Sequence, residues 1–239
     1  MLLQLENVSK HYHLGDTVIR ALDQVNFFVA AGEFVAIMGA SGSGKSTFLQ
    51  VASMLATPTH GKVLLNGKDV TTYNEVERAR LRNKEIGFIF QQFNLLARTS
   101  ALDNVSLPLI YAKVSDSERR KRSEEMLKKV GLGDRMNNTP AQLSGGQQQR
   151  VAVARALIND PLIVFADEPT GNLDTKSGDD IKELLTNLHK EGRTIIMVTH
   201  EEDVAKIAQR LVVFRDGKIV SDQSHGTKKQ RSSRKNNKS

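Results

Sequence analysis

Gly39-Ala40-Ser41-Gly42-Ser43-Gly44-Lys45-Ser46-Thr47 places glycines, an ammonium group and hydroxyls in a spacing that can hold a polyphosphate. A glycine, four free positions and then Gly-Lys-Ser form the phosphate-binding loop pattern. The apolar run Phe34–Met38 precedes it and reads as a buried parallel strand, while Thr47-Phe48-Leu49-Gln50-Val51 reads as the first turns of a helix. The glycines therefore fall where strand becomes helix, which separates the stretch from an ordinary flexible Gly/Ser loop. There the backbone must come close to phosphate oxygens with its N–H groups turned toward them, and the following helix adds its positive end. Lys45 is placed to reach β- and γ-phosphates as a point charge, and the Ser46 hydroxyl can ligate a Mg²⁺ bridging the same oxygens.

Three further groups could act on such a ligand. Leu162–Ala166 is an apolar strand whose C-terminal end presents Asp167 and Glu168. Adjacent carboxylates at the mouth of a buried strand are costly unless they meet a cation, and in phosphate-binding-loop proteins this is the place of a metal-holding aspartate. His200 ends the β-rich run Arg193–Thr199, at the carboxyl end of a central strand, where ligands bind in open α/β sheets. Finally, Leu143-Ser144-Gly145-Gly146-Gln147 opens a helix, with Ser144 and Gln147 at capping-box spacing. It offers a second glycine-rich helix N-terminus to an anion, although such a pattern alone also describes a plain N-cap.

The elements that must position these groups follow from periodicity and turn chemistry. Residues 1–33 read as antiparallel strands around a Gly15-Asp16 turn, a small β-lobe leading into the strand before the loop. Lys62–Asn66 is another strand. Thr72 followed by Glu75 has capping-box spacing and opens a charged helix through about Lys84. After the short strand Ile86–Phe90 the texture turns helical, with Ser100/Asp103 and Ser115/Glu118 marking helix starts, so residues 91–140 form a helical insertion. A helix spans about 175–190, and Asp216-Gly217 between Leu211–Phe214 and Lys218–Ser221 signals a hairpin. The fold expected is α/β, with a mainly parallel sheet, an N-terminal antiparallel lobe and an inserted helical subdomain in one unit over residues 1–225. His11, His13, His60, His189 and His225 fall on loops or surface faces and receive no role.

Composition sets bounds. With 239 residues and 39% hydrophobic content the chain can bury a large core. No apolar run approaches the ~20 residues needed to cross a bilayer, and Met1–Glu6 has no signal-peptide character, so the expectation is a protein that stays in the cytosol. Zero cysteines excludes disulfides and thiolate metal sites. Lys228, Lys229, Arg231, Arg234, Lys235 and Lys238 carry six of the seven net positive charges, leaving the body nearly neutral. Residues 226–239 are expected to be a disordered basic tail, either a solvated terminus or a contact for anionic lipid headgroups.

Taken together, these motifs resemble the ATP-binding cassette family, the motor subunits of ABC transporters, over about residues 1–222. Leu143–Gln147 is similar to that family's signature motif, which separates it from other phosphate-binding-loop proteins. The resemblance implies that Tyr12 stacks on adenine and that Gln91 is the Q-loop glutamine, a γ-phosphate sensor that also approaches the metal. It further implies that Asp167 and Ser46 serve Mg²⁺, Glu168 is the catalytic base, Asp174 is the D-loop aspartate and His200 is the switch histidine. Lys45 and His200 would act on the γ-phosphate. The family's order of parts implies a head-to-tail homodimer formed on ATP binding, with Ser144–Gln147 of one copy capping the γ-phosphate held by Gly39–Thr47 of the other.

Gly87–Leu96, Leu102–Leu109 and Ala166–Asp174 resemble the lipoprotein-release and macrolide-efflux branch, whose members work with an integral-membrane permease. That places the chain at the cytoplasmic face of the membrane as a peripheral subunit. A subunit that signals through a membrane partner without moving cargo remains an alternative. A nucleic-acid-associated ATPase has only the basic tail for support, and no nucleic-acid partner is expected.

Overall fold

The structure is a computed structural model and describes residues 1–224; His225 and the basic tail, with the expectations attached to them, lie outside the described residues. In chain order the elements are β1 (Leu3–Leu14), β2 (Thr17–Val29), β3 (Phe34–Met38), α1 (Lys45–Ala52), β4 (His60–Leu65), β5 (Lys68–Asp69), α2 (Glu75–Glu85) and β6 (Ile86–Ile89). They continue with α3 (Ala101–Tyr111), α4 (Asp116–Lys129), α5 (Gly145–Leu157), β7 (Ile163–Asp167), α6 (Thr175–Lys190), β8 (Thr194–Val198), α7 (Glu202–Ala205), β9 (Arg210–Arg215) and β10 (Lys218–Ser224).

Two sheets result. One is antiparallel, in the order β2-β1-β4-β5, and forms the N-terminal lobe; the other runs β10-β9-β3-β8-β7-β6. Within the second, β9, β3, β8, β7 and β6 are mutually parallel and only β10 is antiparallel, paired through the Asp216-Gly217 hairpin. Strands β3, β7 and β8 are almost wholly buried and read as unbroken apolar runs because helices cover both sheet faces.

The phosphate-binding loop is fixed by packing of the helix behind it. Phe48 in α1 lies edge-on to Phe27 of the lobe at 5.0 Å and tilted against Phe214 of β9 at 5.1 Å. One aromatic side chain thus joins lobe, helix and sheet in the larger core cluster. A second cluster lies among α5, α6 and the sheet, and a third joins α3, α4 and α5.

Local sequence chemistry accounts for most helix starts. Ser144 accepts from Gln147 N at 3.3 Å while Gln147 Oε1 accepts from Ser144 N at 3.0 Å, the reciprocal box expected at α5. Ser100 caps α3 by accepting from Asp103 N. The start of α2 differs from expectation: its cap is Asn74, boxed with Glu77, and not Thr72 with Glu75. Tyr73 N bonds Val70 O in a turn before the helix, so the chain is still turning at Thr72. His189 also differs from the surface assignment, since its ring packs edge-on against buried Phe34 at 5.6 Å.

Candidate functional site

Strand order brings the chemistry together. The loop after β3, His200 after β8, Asp167 and Glu168 at the end of β7, and Gln91 just beyond β6 emerge at one edge of the sheet, in the spatial order 39–47, 200, 167–168, 91. Chain order is 39, 91, 167, 200. The reshuffling arises because β8 enters between β3 and β7.

A cleft of about 710 Å³ opens over the loop. Gly39, Ala40, Ser41, Gly42, Gly44, Lys45, Ser46 and Thr47 line it, facing Glu168 and His200. Gly39 and Gly44 of the loop are required by close approach. A Cβ on Gly39 would lie 2.3 Å from the carbonyl oxygen of Phe214 and one on Gly44 2.5 Å from that of Ala21, both backbone atoms that cannot swing aside. Gly44 also caps α1 with φ 105°, a conformation closed to other residues. The first turn of α1 carries no acid, so its free N–H groups keep their positive character.

Lys45 is largely buried and donates to the carbonyls of Gly39 and Ala40, both at 2.8 Å. Two of its three N–H donors are thus held by the loop, aiming the ammonium and leaving one donor for a phosphate oxygen. Ser43 is buried beside it with an unpartnered hydroxyl, and its carbonyl accepts from Gly217 N at 3.0 Å, tying the loop to the β9–β10 hairpin.

Opposite the loop, His200 Nδ1 lies 3.1 Å from Glu168 Oε1. Glu168 is held at φ 45°, with its N–H bonded to Val198 O at 2.9 Å, so the turn after β7 directs its side chain into the cleft. Burial, then the charge of Glu168, push the Asp167 carboxyl above its ordinary value, while Lys45 pulls it back. A carboxylate in that position gains from a cation. Among the described residues no three His, Cys, Asp or Glu side chains cluster as a metal site, so a cation here takes its other donors from hydroxyl, amide, water and ligand oxygens. Ser46 lines the cleft and Asp167 ends β7 next to Glu168, neither with a nitrogen or sulfur donor in its side chain, which suits a hard divalent ion such as Mg²⁺; Asp167 and Gln91 are not themselves part of the cleft lining.

The remaining expected residues stand outside this cleft. Tyr12 is exposed at 40% and pairs across the hairpin with Ile19, which does line the cleft, so Tyr12 stands beside it. Gln91 is half-buried over Gly171, and Asn172 Nδ2 donates to its carbonyl at 3.0 Å. Asp174 caps α6 by accepting from Ser177 N at 3.0 Å; the Ser177 hydroxyl, then this backbone bond, hold its carboxyl below the ordinary range. Leu143, Ser144, Gly145, Gly146 and Gln147 do not line the cleft of their own chain. Five cleft residues escape the sequence reading: Ile19, Arg20 and Ala21 of β2, and Asp216 and Gly217 of the hairpin. Asp216-Gly217 signals only a turn, and the contribution of β2 has no local signature.

The pattern of the ABC transporter family matches residues 22–171. The chain is 51% identical over 221 residues to the macrolide export ATP-binding/permease protein MacB of Brucella melitensis, covering 92% of this chain and 34% of that one. It therefore spans about a third of the MacB relatives it matches. It is 53% identical to the uncharacterized ABC transporter ATP-binding protein YvrO of Bacillus subtilis, over 93% of this chain and 97% of that one. Its fold superposes with a TM-score of 0.88 and 44% identity on a structure described as a dimeric post-hydrolysis state of the ATP-binding cassette MJ0796 bound to ADP and Pi, covering 95% of this chain and all of that one.

Proposed function

Because this chain belongs to the ABC transporter family as an ATP-binding cassette ATPase, we propose that it hydrolyses MgATP as a head-to-tail homodimer to drive an integral-membrane permease of the lipoprotein-release or macrolide-export type. The observation that carries this reading is the division of the site. One chain gathers the phosphate loop, Glu168 and His200 in a single cleft, while its second glycine-rich helix N-terminus, at Ser144, does not line that cleft. A second copy turned head to tail supplies Ser144–Gln147 to the open side of that cleft. The MJ0796 cassette, described as dimeric, supports the same arrangement.

In this mechanism the loop N–H groups and Lys45 bind and orient the triphosphate, with the N-terminus of α1 stabilising charge that grows on the transferred phosphoryl group. Glu168 accepts a proton from the attacking water, and His200, whose Nδ1 lies 3.1 Å from Glu168 Oε1, stands beside the carboxylate and reaches the γ-phosphate. Asp167, Ser46 and Gln91 would hold a Mg²⁺, which would supply positive charge against the triphosphate. Tyr12 stacks on the adenine, and Asp174 joins the facing copy at the dimer seam. Loss of the γ-phosphate removes the ligand shared by the two copies and lets them part.

The permease is the partner because MacB relatives carry an ATP-binding/permease name over a polypeptide of which this chain matches a third. No helix among the described residues is long and apolar enough to cross a membrane, and the subunit is assigned a peripheral place at the cytoplasmic face through that permease. A cavity of about 810 Å³ between α2 and the α3–α4 connection, lined by Val76, Ala79, Tyr111 and Val114 and flanked by Arg80 and Arg122, supports a dock for a short amphipathic permease helix with an acidic side. Val76, Ile110 and Tyr111 are exposed at 59%, 47% and 73%, and Leu96 lies in the segment after Gln91 at 46%. Phe93 is a poorer dock residue than Leu96: it is half-buried, with its ring close to Gly145.

The test is purification from membranes. The full chain should co-purify a polytopic membrane protein that stimulates its ATPase. Leu96→Asp and Tyr111→Asp should keep basal turnover and lose both association and stimulation. Unchanged association in both variants sinks the docking assignment.

A further inference from the structure

We propose that Arg155 and Gln149 of α5 are positioning residues that hold the backbone on both sides of Gln91 and make it move with the helix that begins at Ser144. The inference rests on the reading of Gln91 as the γ-phosphate sensor. Gln149 is completely buried, and its Nε2 donates to Pro169 O at 2.7 Å and to Phe90 O at 3.5 Å. One amide therefore spans the residues just beyond β6 and β7, immediately before Gln91 and after Glu168. Its Oε1 has no partner. A buried amide that leaves its acceptor unused is an expensive way to fill space, since an apolar side chain of the same shape would avoid that cost.

Six positions further along the helix, Arg155 donates from Nη1 to Asn94 O at 2.6 Å and from Nη2 to Phe93 O at 2.8 Å. Phe93 and Asn94 both lie in the left-handed region, at φ 57° and 49°. Two such residues in succession, one of them bulky, persist only where the surroundings impose them. Arg155 itself is half-buried, and this burial lowers its guanidinium pKa. The carbonyls of this strained segment and the half-buried cation satisfy each other: removal of the guanidinium frees the segment to relax toward ordinary backbone.

A third hold comes from the loop after β7. Asn172 Nδ2 donates to Gln91 O, and Gly171 leaves room for the Gln91 side chain, whose Nε2 would stand 3.0 Å from a Cβ at that position. Gln91 is thereby anchored to α5 on both flanks and to the Glu168 loop beneath. A tilt of α5 that brings Ser144 toward a facing copy draws Gln91 along.

The experiment compares Gln91→Ala, Arg155→Met and the double variant in the full chain, by steady-state MgATP hydrolysis, MgATP affinity and thermal melting. Each single variant is expected to lower kcat ~10-fold, below the ~10²-fold that a 1 Å misplacement can cost, and Arg155→Met should keep MgATP affinity within about twofold. The double variant should turn over no more slowly than Gln91→Ala, because Arg155 acts through Gln91. Arg155→Lys, which restores one donor, should recover part of kcat. Multiplicative losses of ~100-fold in the double variant, or an Arg155→Met kcat equal to wild type while Gln91→Ala is impaired, overturn this inference and leave the sensor reading intact. A Gln91→Ala variant with unaltered kinetics overturns the sensor reading and this inference with it. If Arg155→Met does not fold, Gln149→Met takes its place in the same comparison, with the same outcomes deciding.

Discussion

Replacing Glu168 by glutamine separates catalysis from binding, and the surroundings of the side chain set the size of each effect. The substituted amide has the same shape as the carboxylate, so the turn at φ 45° and the approach of His200 Nδ1, which lies 3.1 Å from Oε1, can both survive. What disappears is the proposed proton acceptor for the attacking water. General-base assistance is typically worth ~10²–10⁴ in rate, or ~2.7–5.4 kcal/mol of barrier. The charge change acts in the opposite direction on binding. Glu168 is the second cause, after burial, that raises the Asp167 carboxyl, so the neutral amide lets Asp167 ionise more readily beside the metal. The expected outcome is hydrolysis reduced by two to four orders of magnitude with MgATP affinity unchanged or tighter. Single-turnover phosphate release and calorimetric titration at neutral pH measure the two quantities. A rate within tenfold of wild type would place the base elsewhere, and a parallel loss of affinity would mean that Glu168 holds ligand instead of water.

Ser144→Arg should leave MgATP binding by the single copy largely intact, since Ser144 lies outside its own cleft, and abolish the ATP-dependent dimer by light scattering together with turnover; a persistent dimer refutes the sandwich. Asp167→Asn tests the pH behaviour. Because the folded Asp167 carboxyl is raised above its ordinary 3.8, the folded state binds more protons, and stability of the nucleotide-free protein falls as pH rises through the window above 3.8. In metal-free buffer the asparagine variant should therefore melt higher than wild type at neutral pH and converge with it below 3.8, while binding MgATP more weakly; parallel melting curves across pH refute the assignment.

Legibility from sequence tracks how local each determinant is. The phosphate-binding loop is readable because strand, glycines, lysine and helix are contiguous, and the α5 cap because Ser144 and Gln147 satisfy each other within four residues. The α2 start is misread because two overlapping registers, Thr72/Glu75 and Asn74/Glu77, carry the same spacing. The Thr71 hydroxyl accepts from Val63 N, holding the turn on the neighbouring strand β4 before the helix begins. Ile19, Arg20 and Ala21 reach the cleft through packing of β2 against the β9–β10 hairpin, fixed by Asp23 N to Gly217 O and the Lys218–Asp23 ion pair. No periodicity in β2 announces that contact. Gln149 and Arg155 read only as helix positions, because the carbonyls of Phe90, Phe93 and Asn94 that they hold are some 60 residues away.

The order of strands also explains why the cassette needs moving parts. Gln91 leaves β6, three strands from the loop after β3, and at ~4.8 Å per strand that is ~14 Å of sheet. His200 and Glu168 occupy the two positions between and already face the cleft, whereas Gln91 does not line it. For Gln91 to sense the same phosphate group, the edge of the sheet or the segment beyond it has to close inward. Among the parallel strands β6 is the one that can yield most easily, because it pairs with β7 on one side only and has just four residues. Interior strands β3, β8 and β7 are paired on both sides and nearly solvent-free. A conformational change driven by nucleotide would therefore fall on the β6 edge and the helices attached to it, leaving the phosphate-binding loop as the fixed reference.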